Sequence, residues 1–127
     1  MLYLSTIQQA INVCRNQPHI CTFSGADQDG APADFSSVTS AYLIICMSSF
    51  NDQPWPYPGF LPSVIQRWNT GFNLGNPEIT FELTEALIGA LPLGTFIYEF
   101  GVSEDDTQYI VCQQGTITVS QSLWSPA

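Results

Sequence analysis

Between Ile79 and Val119 apolar residues recur at alternate positions for most of the way. Ile79, Phe81 and Leu83 alternate with Thr80, Glu82 and Thr84, the period of a half-buried strand. Glu85 to Ala90 predicts a short helical turn, stopped by Pro92 and Gly94. Phe96, Tyr98, Phe100 and Val102 then share one side of a strand, opposite Thr95, Ile97 and Glu99. Glu104-Asp105-Asp106-Thr107 predicts a reversal into Gln108 to Gln113, and Gly115 predicts a second reversal into Thr116 to Ser120, with Ile117 and Val119 inward. The expected product is four strands, three of them an antiparallel meander. One apolar sheet face is unstable in water, so the upstream residues must supply a second layer.

Upstream, Ser5 and Gln8 match a capping box, and Leu4, Ile7, Ala10, Ile11 and Cys14 fall on one stripe at helical spacing. A helix from Ser5 to Arg15 is therefore expected. Its stripe docks either on its own sheet or on a neighbouring subunit. His19 to Ser24 reads as a strand, followed by a loop marked by Gly25, Gly30 and Pro32. Thr39 to Ser48 is the most apolar strand: Ala41, Leu43, Ile45 and Met47 face one way, and Tyr42, Ile44 and Cys46 the other. Neither side is polar, which predicts cover on both faces. From Asn51 to Pro62, Pro54, Pro56, Pro58 and Pro62 exclude regular pairing and are interleaved with Trp55, Tyr57 and Phe60. This segment is either a loop folded over its own core or a stiff aromatic arm that loses little entropy on docking to a partner. Val64 to Thr70 reads as a short edge strand, and Trp124 near the end is a further anchor, in cis or in trans.

Composition narrows the function. The chain has 127 residues, 45% of them hydrophobic, which suits one domain with a core, here 1–127 with a helical segment at 1–18 and the proline-aromatic loop at 51–63. Only 10% of residues are charged, with eleven acidic and two basic residues (Arg15 and Arg67) and a net charge of −9. That balance argues against nucleic acid and anionic membrane as partners. The lack of lysine leaves a surface of amides, hydroxyls and apolar groups, explained either by compositional drift or by burial against partners. Met1-Leu-Tyr-Leu lacks the positive start of a signal peptide. Cys14, Cys21, Cys46 and Cys112 show no zinc spacing and are expected as free thiols, with Cys46 and Cys112 as small core residues.

Catalytic patterns are missing. His19, the single histidine, lies in an apolar strand and reads as structural. Asp27-x-Asp29-Gly30 is a fragment of a calcium loop without its closing Glu and reads as a turn. Glu104, Asp105 and Asp106 read as a solvated hairpin tip. No nucleophile, zinc or phosphate-loop motif occurs, so an enzyme is not expected and no cofactor is implied.

The order Phe81-Glu82-Leu83-Thr84, Ala90-Leu91-Pro92-Leu93-Gly94, Phe96-Ile97-Tyr98-Glu99, an acidic turn and Gly115-Thr116-Ile117-Thr118-Val119 resembles a small β-sandwich virion module of tailed bacteriophages. Asp34-Phe35-Ser36-Ser37 before an apolar strand resembles its first half more loosely. In this arrangement Leu83 and Leu91 would plug the sandwich end, and Gly94 would permit the tight re-entry. The likeness covers about a third of the chain; the helix and the proline-aromatic loop are additions to it. It implies a capsid cement or decoration protein, similar also to the N-terminal module of baseplate upper proteins, made in the host cytoplasm and located in the virion. The partners it implies are the major capsid protein and further copies of this chain.

The expected fold is thus an all-β antiparallel sandwich, Ig-like or jelly-roll-like, of about seven strands with one short N-terminal helix. The expected function is capsid cement. A baseplate, neck or tail component is the alternative, and a carbohydrate-binding sandwich using Trp55 and Tyr57 is a second. The expected partner-binding residues are Leu4, Ile7, Ile11, Trp55, Tyr57, Phe60 and Trp124.

Overall fold

A computed structural model describes residues 4–47 and 64–121. Among them run β1 (Leu4–Ser5), β2 (Ile7–Gln8), β3 (Ile11–Cys14), β4 (His19–Phe23), β5 (Ala26–Asp27), β6 (Ser40–Met47), β7 (Val64–Trp68), β8 (Phe72–Asn73), β9 (Ile79–Leu83), α1 (Glu85–Gly89), β10 (Gly94–Ser103) and β11 (Tyr109–Ser120). The larger sheet has the order β2/β3-β11-β10-β6-β7; the smaller has β4-β9-β8; β1 and β5 form a separate pair. The chain is all-β, and the two main sheets face each other across one core.

Alternation explains the inner faces. Ala41, Leu43 and Ile45 of β6, Phe96, Tyr98, Phe100 and Val102 of β10, and Ile117 and Val119 of β11 are buried from one side. Cys21 and Phe23 of β4 and Ile79, Phe81 and Leu83 of β9 are buried from the other. Phe23 stacks on Phe100 across the interface at 4.2 Å between ring centres, and Trp68 meets Phe81 at 5.5 Å. Burial of this kind contributes roughly 1.5–3 kcal/mol per large apolar side chain, so the alternating set outweighs any single local preference.

The expected N-terminal helix is absent. Residues 4–14 form β1, β2 and β3, and Ala10, which the helical stripe would bury, is exposed. The reason is an available sheet edge. Beside β11, Ile7 faces Gln113 and Ile11 faces Ile117 in one continuous parallel register. Ile11 and Val13 enter the core while Asn12 points away. A helix of three turns is marginal, and edge pairing plus two-residue alternation stabilises the strand instead.

Gly115 does not reverse the chain. β11 runs through it without a turn, so the predicted meander reduces to the β10–β11 hairpin, and β9 belongs to the opposite sheet. The glycine allows a close approach. A Cβ at Gly115 would lie 2.0 Å from the Gln9 carbonyl oxygen. There the paired edge strand is interrupted, with Gln9 N–H donating to Gln114 O at 3.0 Å and the Tyr98 hydroxyl donating to Gln9 O at 2.6 Å. Near the start of β11 one extra residue creates a bulge: Phe100 faces Gln113 but Gly101 faces Val111.

The link between the sheets matches expectation. Thr84 caps α1 by accepting the Leu87 N–H at 3.2 Å, and Leu83, Ile88 and Leu91 are buried at the sandwich end. Gly94 has φ +132 where the chain re-enters the larger sheet. Arg15 donates to Leu91 O at 2.7 Å, so one of the two basic side chains braces this crossover.

Candidate interaction surface

Of the residues expected to bind partners, Ile11 is a core residue at 9% exposure, and Leu4 and Ile7 are half-buried in β1 and β2, with Leu4 packed against the core. They form no docking stripe. Trp55, Tyr57, Phe60 and Trp124 lie outside the described residues.

The outer face of the larger sheet is the better candidate. Register places Ile44 beside Glu99 and Arg67, Cys46 beside Ile97, and Tyr42 beside Gly101. Tyr42, Ile44, Ile97 and Val111 are half-buried, and Tyr109 is 47% exposed. β6 is thus apolar on both sides, as its sequence predicted. The inner side is core, and the outer side forms a low, weakly charged surface. An open depression of about 390 Å³ on it is lined by Tyr42, Ile44, Arg67, Asn69 and Tyr109.

The polar groups on this face are tied to one another. Glu99 accepts from the Tyr42 hydroxyl at 2.8 Å and from the Gln114 amide at 2.9 Å. Burial, then the hydrogen bond to Glu99 and its charge, push the Tyr42 phenol well above its ordinary range, so it stays a donor. Tyr42 lies over Gly101, where a Cβ would be 2.4 Å from the ring, and it meets Tyr109 edge-on at 74°. Burial, with Glu99 as a secondary cause, raises the Cys46 thiol. Cys112, wholly buried, is pushed up to about 12 by burial. All four cysteines are unpaired, and burial makes these two poor nucleophiles.

The other candidate groups are structural. Asp27 accepts from Asp29 and Ala31 N–H, both at 2.9 Å, and Gly30 has φ +88, which makes the acidic fragment a turn. Asp105 accepts from Thr107 and Gln108 N–H and from the Ser103 hydroxyl, which folds the β10–β11 tip around its carboxylate. Among the described residues no three His, Cys, Asp or Glu side chains converge on a metal position, and no helix is long and apolar enough to cross a membrane.

No family model and no curated protein matches the chain. Solved structures similar to it include the fibronectin(III)-like modules of Clostridium thermocellum CbhA, at 11% identity and a TM-score of 0.43, covering 96% of this chain and 99% of that one. CopC from Methylosinus trichosporium OB3b is similar at 13% identity and a TM-score of 0.45, covering 96% and 98%.

Proposed function

We propose that this protein is a structural component of a tailed-phage virion, a cement protein that bridges subunits of the capsid shell through the outer face of its larger sheet. The observation that carries the reading is that face itself. Tyr42, Ile44, Ile97, Val111 and Tyr109 share that face, Glu99 is held by two neighbouring donors, and no lysine guards the surface. Protein interfaces have cores enriched in such aromatic and apolar groups and depleted of lysine and unpaired carboxylate. Cement acts by many symmetric, individually modest contacts and involves no chemical step. The strand order β3-β11-β10-β6-β7 against β4-β9-β8 favours the Ig-like plan over a jelly roll.

The test is an Ile44→Lys/Ile97→Lys double variant. Both positions point away from the core, so the variant is expected to fold with a melting temperature near that of the parent and to be lost from purified particles. Normal incorporation would refute the assignment of this face. Gel densitometry of the virion separates head from tail: a cement protein scales with the major capsid protein, whereas a baseplate, neck or tail component is present in few copies.

A further inference from the structure

Among the described residues the smaller sheet ends at β4 with no strand paired beyond it. In the Ig plan the sheet containing strands B, E and D carries strand A alongside B. Here β4 occupies the B position, next to β9, while β1, which comes first in the chain, pairs with β5 instead. Among the described residues no strand pairs with the other side of β4. Alternate N–H and C=O groups along His19–Phe23 therefore point away from β9, with no backbone partner among the described residues. Edges of this sort are usually guarded by lysine, proline or a bulge, and β4 contains none of these. It carries Ile20, 64% exposed, the most exposed large apolar side chain among the described residues.

The edge borders a groove. A cleft of about 380 Å³ runs between the β3 side, from Gln9 to Asn12, and the β4 side, from His19 to Thr22, with Gln113 also lining it. Gln113 is 1% exposed, and its Nε2 donates to the Tyr98 hydroxyl at 2.8 Å. Its Oε1 is a buried acceptor without a donor. A buried acceptor in that state is costly, and it marks where a donor from outside is favoured.

We propose that this groove accepts an extended segment of a partner protein, which adds to β4 as the missing edge strand, its main-chain N–H groups supplying donors to the free carbonyls and to Gln113. The occupant is a different protein rather than a second copy. Two chains of net charge −9 repel, and Glu82 lies beside Ile20, so a neutral or basic segment fits. Main-chain pairing gives affinity, and an alternate apolar side chain against Ile20 gives register. The proposal goes beyond the cement reading and stands whether or not the partner is a capsid subunit.

Dodecapeptides selected from a random display library against the full-length protein are the probe. The expected result is enrichment of extended neutral or basic sequences, whose amide shifts and slowed hydrogen exchange fall on Gln9–Asn12 and His19–Phe23. Methylating alternate backbone nitrogens of a selected peptide is expected to weaken it at least tenfold. Ile20→Lys is expected to do the same with an unchanged melting temperature. No enriched peptide, shifts confined to the outer face of the larger sheet, or full affinity of the methylated peptide would each overturn the proposal. The Ile44→Lys/Ile97→Lys variant keeps peptide binding if this groove acts independently, so failure here and failure of the cement face are told apart.

Discussion

Asp105 illustrates how a single side chain folds a turn. Its carboxylate is drawn down to about 2 from 3.8 by the N–H groups of Gln108 and Thr107 and by the Thr107 hydroxyl, with Ser103 a smaller contributor. A carboxyl whose folded value lies below its unfolded one stabilises the fold above the unfolded value, and that contribution is lost as the pH falls through the folded value. Asp105→Asn is therefore expected to lower the melting temperature at pH 7. The gap to the parent is expected to narrow between pH 4 and pH 2, which thermal melts followed by circular dichroism would check. The acidic tip was readable in the sequence as a turn. The concentration of donors on one of its three carboxylates was not, because it depends on the φ of +62 at Asp106 and on the buried Ser103.

At the scale of elements, the legible pieces were those whose pattern fits one period. β6, β9, α1 and β10 follow from alternation and from Pro92 and Gly94 as stops, whereas the capping role of Thr84 emerged only from the structure. The N-terminal strands were misread because Leu4, Ile7, Ile11 and Cys14 satisfy helical spacing, while the edge of β11 that recruits them lies about a hundred residues away. Gly115 was misread because a glycine between two strand-like runs is usually a turn; its actual neighbour, Gln9 O, is distant in sequence. Gly115→Ala is expected to destabilise by roughly 1–3 kcal/mol, the range for forced overpacking, measurable by urea titration. Hydrogen exchange should speed up selectively along β2 and β3. Gly101→Ala is expected to displace the Tyr42 ring and break its bond to Glu99, with little loss of inner-face packing; altered aromatic resonances of Tyr42 and Tyr109 would report it.

For the whole molecule, stability rests on contact between the sheets. Phe23 and Phe100 are fully buried and stacked, so Phe100→Ala is expected to cost about 3–5 kcal/mol in denaturant unfolding. The outer surface was half legible: β6 is apolar on both sides as its sequence predicted, but Leu4, Ile7 and Ile11 were expected on a helix where the chain forms strands, and Trp55, Tyr57, Phe60 and Trp124 lie outside the described residues. The pairing of β1 with β5 and not with β4 has no local sequence signature, and so neither the edge of β4 left unpaired among the described residues nor the orphan acceptor of Gln113 could be anticipated.

The parallel register of the first strands with β11 also has a mechanical consequence. Residue 4 and residue 121 lie toward opposite ends of that shared seam, so tension applied between them pulls the two partners past one another lengthwise. The crossing hydrogen bonds must then yield together rather than peel open in turn. Stretching by those two points should give one high-force rupture. Attachment at Cys14 and Ser120, which face each other at one end of the seam, should unzip the same bonds gently.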